Sequence, residues 1–313
     1  MLGGEGGHER IQHLAGRGLT IALLRGMKPN SGCLDLQYQA ARLKLDPDRG
    51  GAIREFSWWG RDVLRPTPAG RGADPFDMAC FPMVPYVNRI AGGRFCFAGR
   101  TVQLQRNWSA DPHPLHGQGW RLPWSVAAAD TSSATLRFEG GGDEWPWRYR
   151  CEQSFQLLEN GLLVELSVTN LSATAMPAML GLHPYFPDAG HALVKASVPR
   201  VWLADSQALP LNETATPPAW ALEPARAVDT VPLDNGFAGW DGVAVIRWPD
   251  RTCTIRAPQC GFLHVYSPPG RDFFCLEPQT AAPGALQRDP APVAVVAPGD
   301  RFSIRVNFEV GAS

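Results

Sequence analysis

Two long alternating runs, Tyr149–Leu158 and Leu162–Thr169, are joined through Asn160-Gly161. An Asn-Gly pair suits the positive φ angles of a tight turn, so the runs read as the two arms of a β-hairpin. In the second arm Leu162, Val164, Leu166 and Val168 share one face, while Glu165, Ser167 and Thr169 share the other. An apolar face of that kind must be buried against another layer. The same grammar recurs along the chain. Arg42–Leu45 alternates, Asp46–Gly51 turns, and Ala52–Phe56 resumes. Phe95-Cys96-Phe97 and Val102-Gln103-Leu104 flank Ala98-Gly99-Arg100. Near the end Val293–Val296 and Phe302–Phe308 alternate on either side of Pro298-Gly299-Asp300.

Turns of this frequency need turn residues. The 313-residue chain has 32 glycines and 29 prolines, about a fifth of its length against a typical 12% or so. No dozen residues carry a 3.6-residue apolar stripe, and neither a linker nor a short repeat interrupts the pattern. The reading is an all-β chain: one large antiparallel β domain over 27–313, built as a sandwich of two packed sheets. Residues 1–26 are Gly-rich and lack β alternation. They are expected to be poorly ordered or dispensable, as a frayed terminus or as an extension upstream of a start at Met27.

Charge excludes several partners. There are 29 basic and 30 acidic residues, for a net charge of −1. Arginines are scattered and form no stripe for nucleic acid or an anionic membrane. No run reaches the length of a membrane helix, and Leu19–Leu24 is too short and too acidic in its flank for a signal peptide. Seven cysteines without a C-x-x-C pair read as reduced thiols. A cytoplasmic protein, monomeric or homodimeric, is expected, without nucleic-acid or membrane partners.

Four segments set ionisable groups in apolar or Pro/Gly-fixed surroundings. They are Phe81–Ile90, Pro114-Leu115-His116-Gly117, Gly181–Phe186 and Phe274–Thr280. A polar group buried there needs a partner or a ligand. Singly, Arg89 or Glu277 is explained by a buried ion pair, and His116 or His183 by a bond to a backbone carbonyl. Four such segments in one chain argue for a site. His113 and His116 are spaced as a ligand pair on a helix, but Pro112 and Pro114 oppose a helix, so no metal is expected. No G-x-S-x-G is present, and Gly140-Gly141-Gly142 runs into Asp143-Glu144, which would repel a phosphate. General acid–base chemistry on an uncharged polar substrate remains. Phe273–Leu276 reads as a buried strand delivering Glu277, with Pro278 ending it. Trp108, Trp120, Trp124, Trp145 and Trp147 lie in or beside these segments, either facing a sugar ring or filling the core.

Taken in order, Phe81–Ile90, Leu104…Asn107 before Leu115-His116-Gly117, His183-Pro184-Tyr185-Phe186 and Glu277-Pro278-Gln279-Thr280 resemble the aldose 1-epimerases, or galactose mutarotases. The resemblance runs from about Ala41 to Phe308. It implies a galactose mutarotase-like β supersandwich and a cofactor-free interconversion of the α and β anomers of a free aldose. By that resemblance His183 is similar to the general acid, Glu277 to the general base, and His116 to a second active-site histidine. Asn88 and Arg89 resemble a sugar-contacting pair, and Tyr185 a substrate-lining tyrosine. Asp234 best resembles a sugar-binding aspartate, with Asp241 one loop away. A carboxylate near His183 is expected to raise its protonated fraction. The Leu-His-Pro-Tyr wording here departs from the Asn-His-Ser-Tyr of many sugar-specific members. Two alternatives use the same fold: an epimerase of phosphorylated aldoses, which needs an arginine cluster, and a silent carbohydrate-binding module, which would be expected to lose His183 or Glu277.

Overall fold

The hairpin forms, one residue out of the expected register. Tyr149–Leu158 pairs with Gly161–Asn170, and Leu158 faces Gly161, so Glu159 and Asn160 make the turn. Gly161 serves packing instead of turn geometry. A Cβ at this position would lie 2.2 Å from the Phe308 carbonyl oxygen of the neighbouring strand. The inward face is as expected, with Leu162, Val164, Leu166 and Val168 all buried. Positive-φ two-residue turns occur at other hairpins, at Trp59-Gly60 (52° and 72°) and at Ala98-Gly99 (48° and 73°).

The computed structural model describes residues 32–288 and 291–313, and the expectation for residues 1–26 lies outside them. Among the described residues, helical structure is confined to six three-residue 3-10 turns, and every pairing between strands is antiparallel. Eleven strands form one sheet and nine form a second, with two small two-stranded ribbons beside them. Phe186 and Phe274 of the larger sheet stack, and Phe186 meets Phe308 of the smaller sheet at 6.4 Å between ring centroids. The two sheets thus share one apolar core. Trp120, Trp124, Trp145 and Trp147 are buried within it, so these tryptophans fill the core. All seven cysteines are free thiols. No helix among the described residues is long and apolar enough to cross a membrane.

The middle of the larger sheet runs, strand by strand, Cys80–Met83, Gly181–Pro187, Phe273–Gln279, Phe262–Ser267 and Leu233–Ala238. The Gly181 and Phe273 strands are buried almost throughout. Both of their faces are covered, which explains why they read as apolar runs without alternation. Pro278 does not end its strand: it lies inside it, opposite Leu263. The ladder to the Gly181 strand pairs Gly181 with Gln279 and resumes at Tyr185 and Cys275. Pro184 and Pro278 fall in that gap and have no N–H to donate. The same register sets His183 across from Glu277.

Gly161→Ala tests the close approach at the first hairpin. Where there is space, Gly→Ala stabilises by about 0.4–1 kcal/mol through the unfolded chain. Against a fixed backbone carbonyl the sign reverses, and a loss of about 1–3 kcal/mol is expected in denaturant melts. A variant as stable as the parent would contradict the packing described.

Candidate active site

Two loops cover the middle strands on the face turned from the second sheet. Arg89 bridges to Leu115 and Val84 to Gly117, which binds Pro85–Ile90 to Pro114–Gln118. Asn107 pins the second loop: its Nδ2 donates to the Leu115 and Gly117 carbonyls, and its Oδ1 accepts the Leu115 N–H. Asn88 and His116 both take positive φ, 58° and 56°. They clamp each other, because the His116 N–H donates to the Asn88 carbonyl and the Asn88 N–H donates to His116 Nδ1. Gly117 follows because a Cβ there would lie 2.2 Å from the Val84 carbonyl oxygen.

Beneath these loops is a cleft of about 280 Å³. His183, Glu277, His116, Asn88, Arg89, Tyr185 and Asp234 all line it, together with Phe76, Leu115, His264, Tyr266 and Phe273. Asp241 does not; it is exposed and its carboxylate caps the Val243 N–H. Aromatic rings do face the cleft, but they are Phe76, Tyr185, Tyr266 and Phe273 and not the tryptophans.

At its floor His183 Nε2 lies 3.2 Å from Glu277 Oε1, with both side chains buried. His183 packs against two rings, stacked on Tyr185 at 4.8 Å and tilted against Phe81 at 4.5 Å. Glu277 Oε2 accepts a hydrogen bond from Gln279 Nε2. Arg65 closes the stack, its guanidinium 4.2 Å from the Tyr185 ring while it donates to the Phe76 and Met78 carbonyls. Towards the rim, Arg89 Nε binds Asp111 at 2.8 Å, and Arg89 also lines the cleft. His264 Nε2 lies 2.8 Å from Asp234 Oδ1.

Burial sets the charges. It pushes Glu277 up to about 7, opposed by nearby His264. It pulls His183 down to about 3, aided by His264. The expected rise in His183 protonation therefore does not occur: the carboxylate is close, but desolvation of the buried imidazolium outweighs it. His116 is held well below the ordinary histidine range, by burial first and then by His183 and Arg89. Burial also lowers His264, but Glu277 and the bond to Asp234 outweigh it and leave its pKa raised. Asp234 is lowered despite its own desolvation, chiefly by that bond to His264.

His183, Cys275 and Glu277 bring three donor atoms within 4.8 Å of one another. Burial raises the Cys275 thiol well above its ordinary value, so this set would have to lose a tightly held proton to bind an ion. His113 has other partners: Nδ1 accepts the Gly92 N–H and Nε2 meets Gln207 Oε1. Sequence reasoning overlooked His264. Its signal was a histidine in the apolar run Phe262–Tyr266, where a buried polar side chain needs a partner. Asp111, in the Pro-flanked run before His113, was overlooked as the partner of Arg89.

With the floor and rim in view, relatives decide the family. The aldose 1-epimerase family model matches residues 46–309. The chain belongs to the aldose 1-epimerase family. It is 34% identical over 294 residues to the uncharacterized protein YphB of Escherichia coli K12, covering 86% of this chain and 96% of that one. The crystal structure of a provisionally named aldose 1-epimerase from Escherichia coli K12 superposes with a TM-score of 0.84 at 31% identity, over 90% of this chain and 99% of that one. A galactose mutarotase-like protein of Clostridium acetobutylicum shares the fold, with a TM-score of 0.79 at 20% identity over 90% and 95% of the two chains. The all-β sandwich read from the strand pattern is thus the aldose 1-epimerase fold.

The raised pKa of Glu277 has a thermodynamic signature. A carboxyl that binds its proton more tightly when folded adds stability below its unfolded pKa, near 4.5, and loses it as pH rises through about 7. Glu277→Gln removes that dependence. Between pH 4 and pH 8 the variant should gain on the parent by on the order of 3 kcal/mol, read from paired denaturant melts. A constant difference would show that Glu277 titrates normally.

Proposed function

We propose that the protein is an aldose 1-epimerase in activity as well as family, interconverting the α and β anomers of a free aldose by acid–base ring opening and closure. One observation carries this reading: a buried histidine and a buried carboxylate 3.2 Å apart in a cleft, with proton affinities displaced in opposite directions. Glu277 takes the proton of the anomeric hydroxyl while His183, as imidazolium, gives one to the ring oxygen. The C1–O5 bond breaks, the C1–C2 bond rotates, and closure on the other carbonyl face reverses both transfers. The pair begins and ends with one shared proton, so no cofactor is consumed.

The proton affinities suit that cycle. Burial leaves the shared proton on Glu277 and His183 neutral. Its movement to His183 Nε2 makes the ion pair that starts ring opening, and ring opening returns it. A carboxylate with a pKa near 7 is a stronger base than an ordinary one, and an imidazolium made less stable by burial is a stronger acid. His116 accepts a backbone N–H at Nδ1, so its neutral ring carries its proton on Nε2 and can donate to a sugar oxygen. Asp234 and Arg89 supply further hydroxyl contacts, and Tyr185 an apolar wall.

The cleft falls slightly below the roughly 300–1,000 Å³ of common small-molecule sites, which favours one sugar ring over an oligosaccharide. Among the described residues that line it, Arg89 is the one arginine, and Asp111 already holds it. That balance favours an uncharged aldose over a phosphorylated one.

Polarimetry on fresh α-D-glucose, α-D-galactose and a phosphorylated aldose tests the proposal. Net of the spontaneous reaction, kcat/KM on a free aldose should hold up to about pH 7. Above it, about tenfold should be lost per pH unit, as the pair loses its proton. His183→Asn and Glu277→Gln should each lower kcat by about 10²–10⁴ in folded protein. Near-parental rates in either variant, or a preference for the phosphorylated sugar, would overturn it.

A further inference from the structure

The side chain of Asn88 is buried and has little left to offer a sugar. Its Oδ1 accepts the Arg89 N–H at 2.8 Å, which fixes the orientation of the amide. Its Nδ2 therefore points its hydrogens at His264 Nδ1, 3.3 Å away. An Nδ1 that accepts leaves the proton of a neutral imidazole on Nε2. That proton meets Asp234 Oδ1 at 2.8 Å. Through its backbone N–H, Asn88 imposes the same tautomer on His116.

We propose that Asn88 and His264 are positioning residues, forming a relay from the Arg89 N–H through Asn88 and His264 to Asp234. The relay holds Asp234 on the cleft wall with Oδ2 free for a sugar hydroxyl, and keeps His116 and His264 as Nε2–H donors. This deepens the mutarotase reading and rests on it for the identity of the ligand. The groups around His264 set the relay under tension. Asp234 and Glu277 favour a second proton on the ring, Arg89 disfavours it, and the Asn88 Nδ2–H occupies the atom that would receive it. Asn88→Asp keeps an oxygen for the Arg89 N–H but replaces the donor facing Nδ1 with an acceptor. Its His264 should become doubly protonated. His264→Gln can still accept from Asn88 and donate to Asp234, whereas His264→Leu can do neither.

Two readouts are taken on the full chain. Imidazole nitrogen–proton correlation NMR at pH 8.5 should find His116 and His264 protonated on Nε2 alone, and His264 carrying two protons in Asn88→Asp. Polarimetry should find KM for the preferred aldose near the parent value in His264→Gln. In His264→Leu it should be raised by roughly 10²-fold, with kcat changed much less. A proton on His264 Nδ1 in the parent, or equal losses in the Gln and Leu variants, would overturn the relay. If the parent protein mutarotates no aldose, the mutarotase reading fails, while the NMR spectra still decide the relay. Should His264→Leu not fold, Asn88→Asp and His264→Gln carry the test.

Discussion

A carboxyl group and an imidazole, taken out of water together and set 3.2 Å apart, cannot both keep their solution proton affinities. Burial in low dielectric penalises each charged form, so the carboxyl rises and the imidazole falls. The result is a pair with one proton, which rests on Glu277 while His183 is neutral. Ring opening of an aldose asks for that arrangement: one group to accept a proton, a neighbour to release one, and no net exchange with solvent. The rest of the site keeps the pair dry, oriented and open to the cleft at one side.

The sheet supplies the orientation. His183, Glu277 and His264 come from three adjacent strands, and the register puts them side by side. Strands are a rigid way to hold side chains, and a site on them is more precise than one on loops. Pro184 and Pro278 sit where the ladder is interrupted. The loops then add what strands cannot, with Asn88 and His116 in left-handed backbone conformations locked by their mutual hydrogen bonds. Strained backbone of this sort is tolerated where the surroundings over-determine it. Phe81 and Tyr185 complete the arrangement by packing against His183, Tyr185 stacked on its ring and Phe81 tilted against it, which helps to exclude water from it.

The fold was legible because alternation with period two leaves a strong trace when only one face is buried, as in Leu162–Val168. It was least legible where both faces are covered. Phe273–Gln279 looked like a strand cut short by Pro278, because nothing local says that a proline can occupy a gap in the ladder. The Asn160-Gly161 turn misled for a related reason: Gly161 answers to Phe308, a neighbour 147 positions away that local pattern cannot see. In the site, the residues singled out within conspicuous Pro/Gly-fixed segments meet in one cleft, which Asp234 also lines and Asp241 does not, a difference that only tertiary position shows. His264 was missed because it stands in a strand, Phe262–Ser267, with no proline or glycine inside it to mark it. The downward shift of His183 was also beyond reach, since its cause is burial, followed by the nearby His264, and both are set by tertiary packing.

The shared proton can be observed directly. A protonated carboxyl has a C=O stretch separate from that of a carboxylate, and subtracting the Glu277→Gln spectrum isolates the contribution of Glu277. Infrared difference spectra recorded from pH 3.5 to pH 9 on the ligand-free protein should keep the protonated band of Glu277 up to about pH 7, where it should be half lost. A band that disappears near 4.5, as for a carboxyl in water, would mean that Glu277 rests ionised at neutral pH and that the pair does not share a proton in this way.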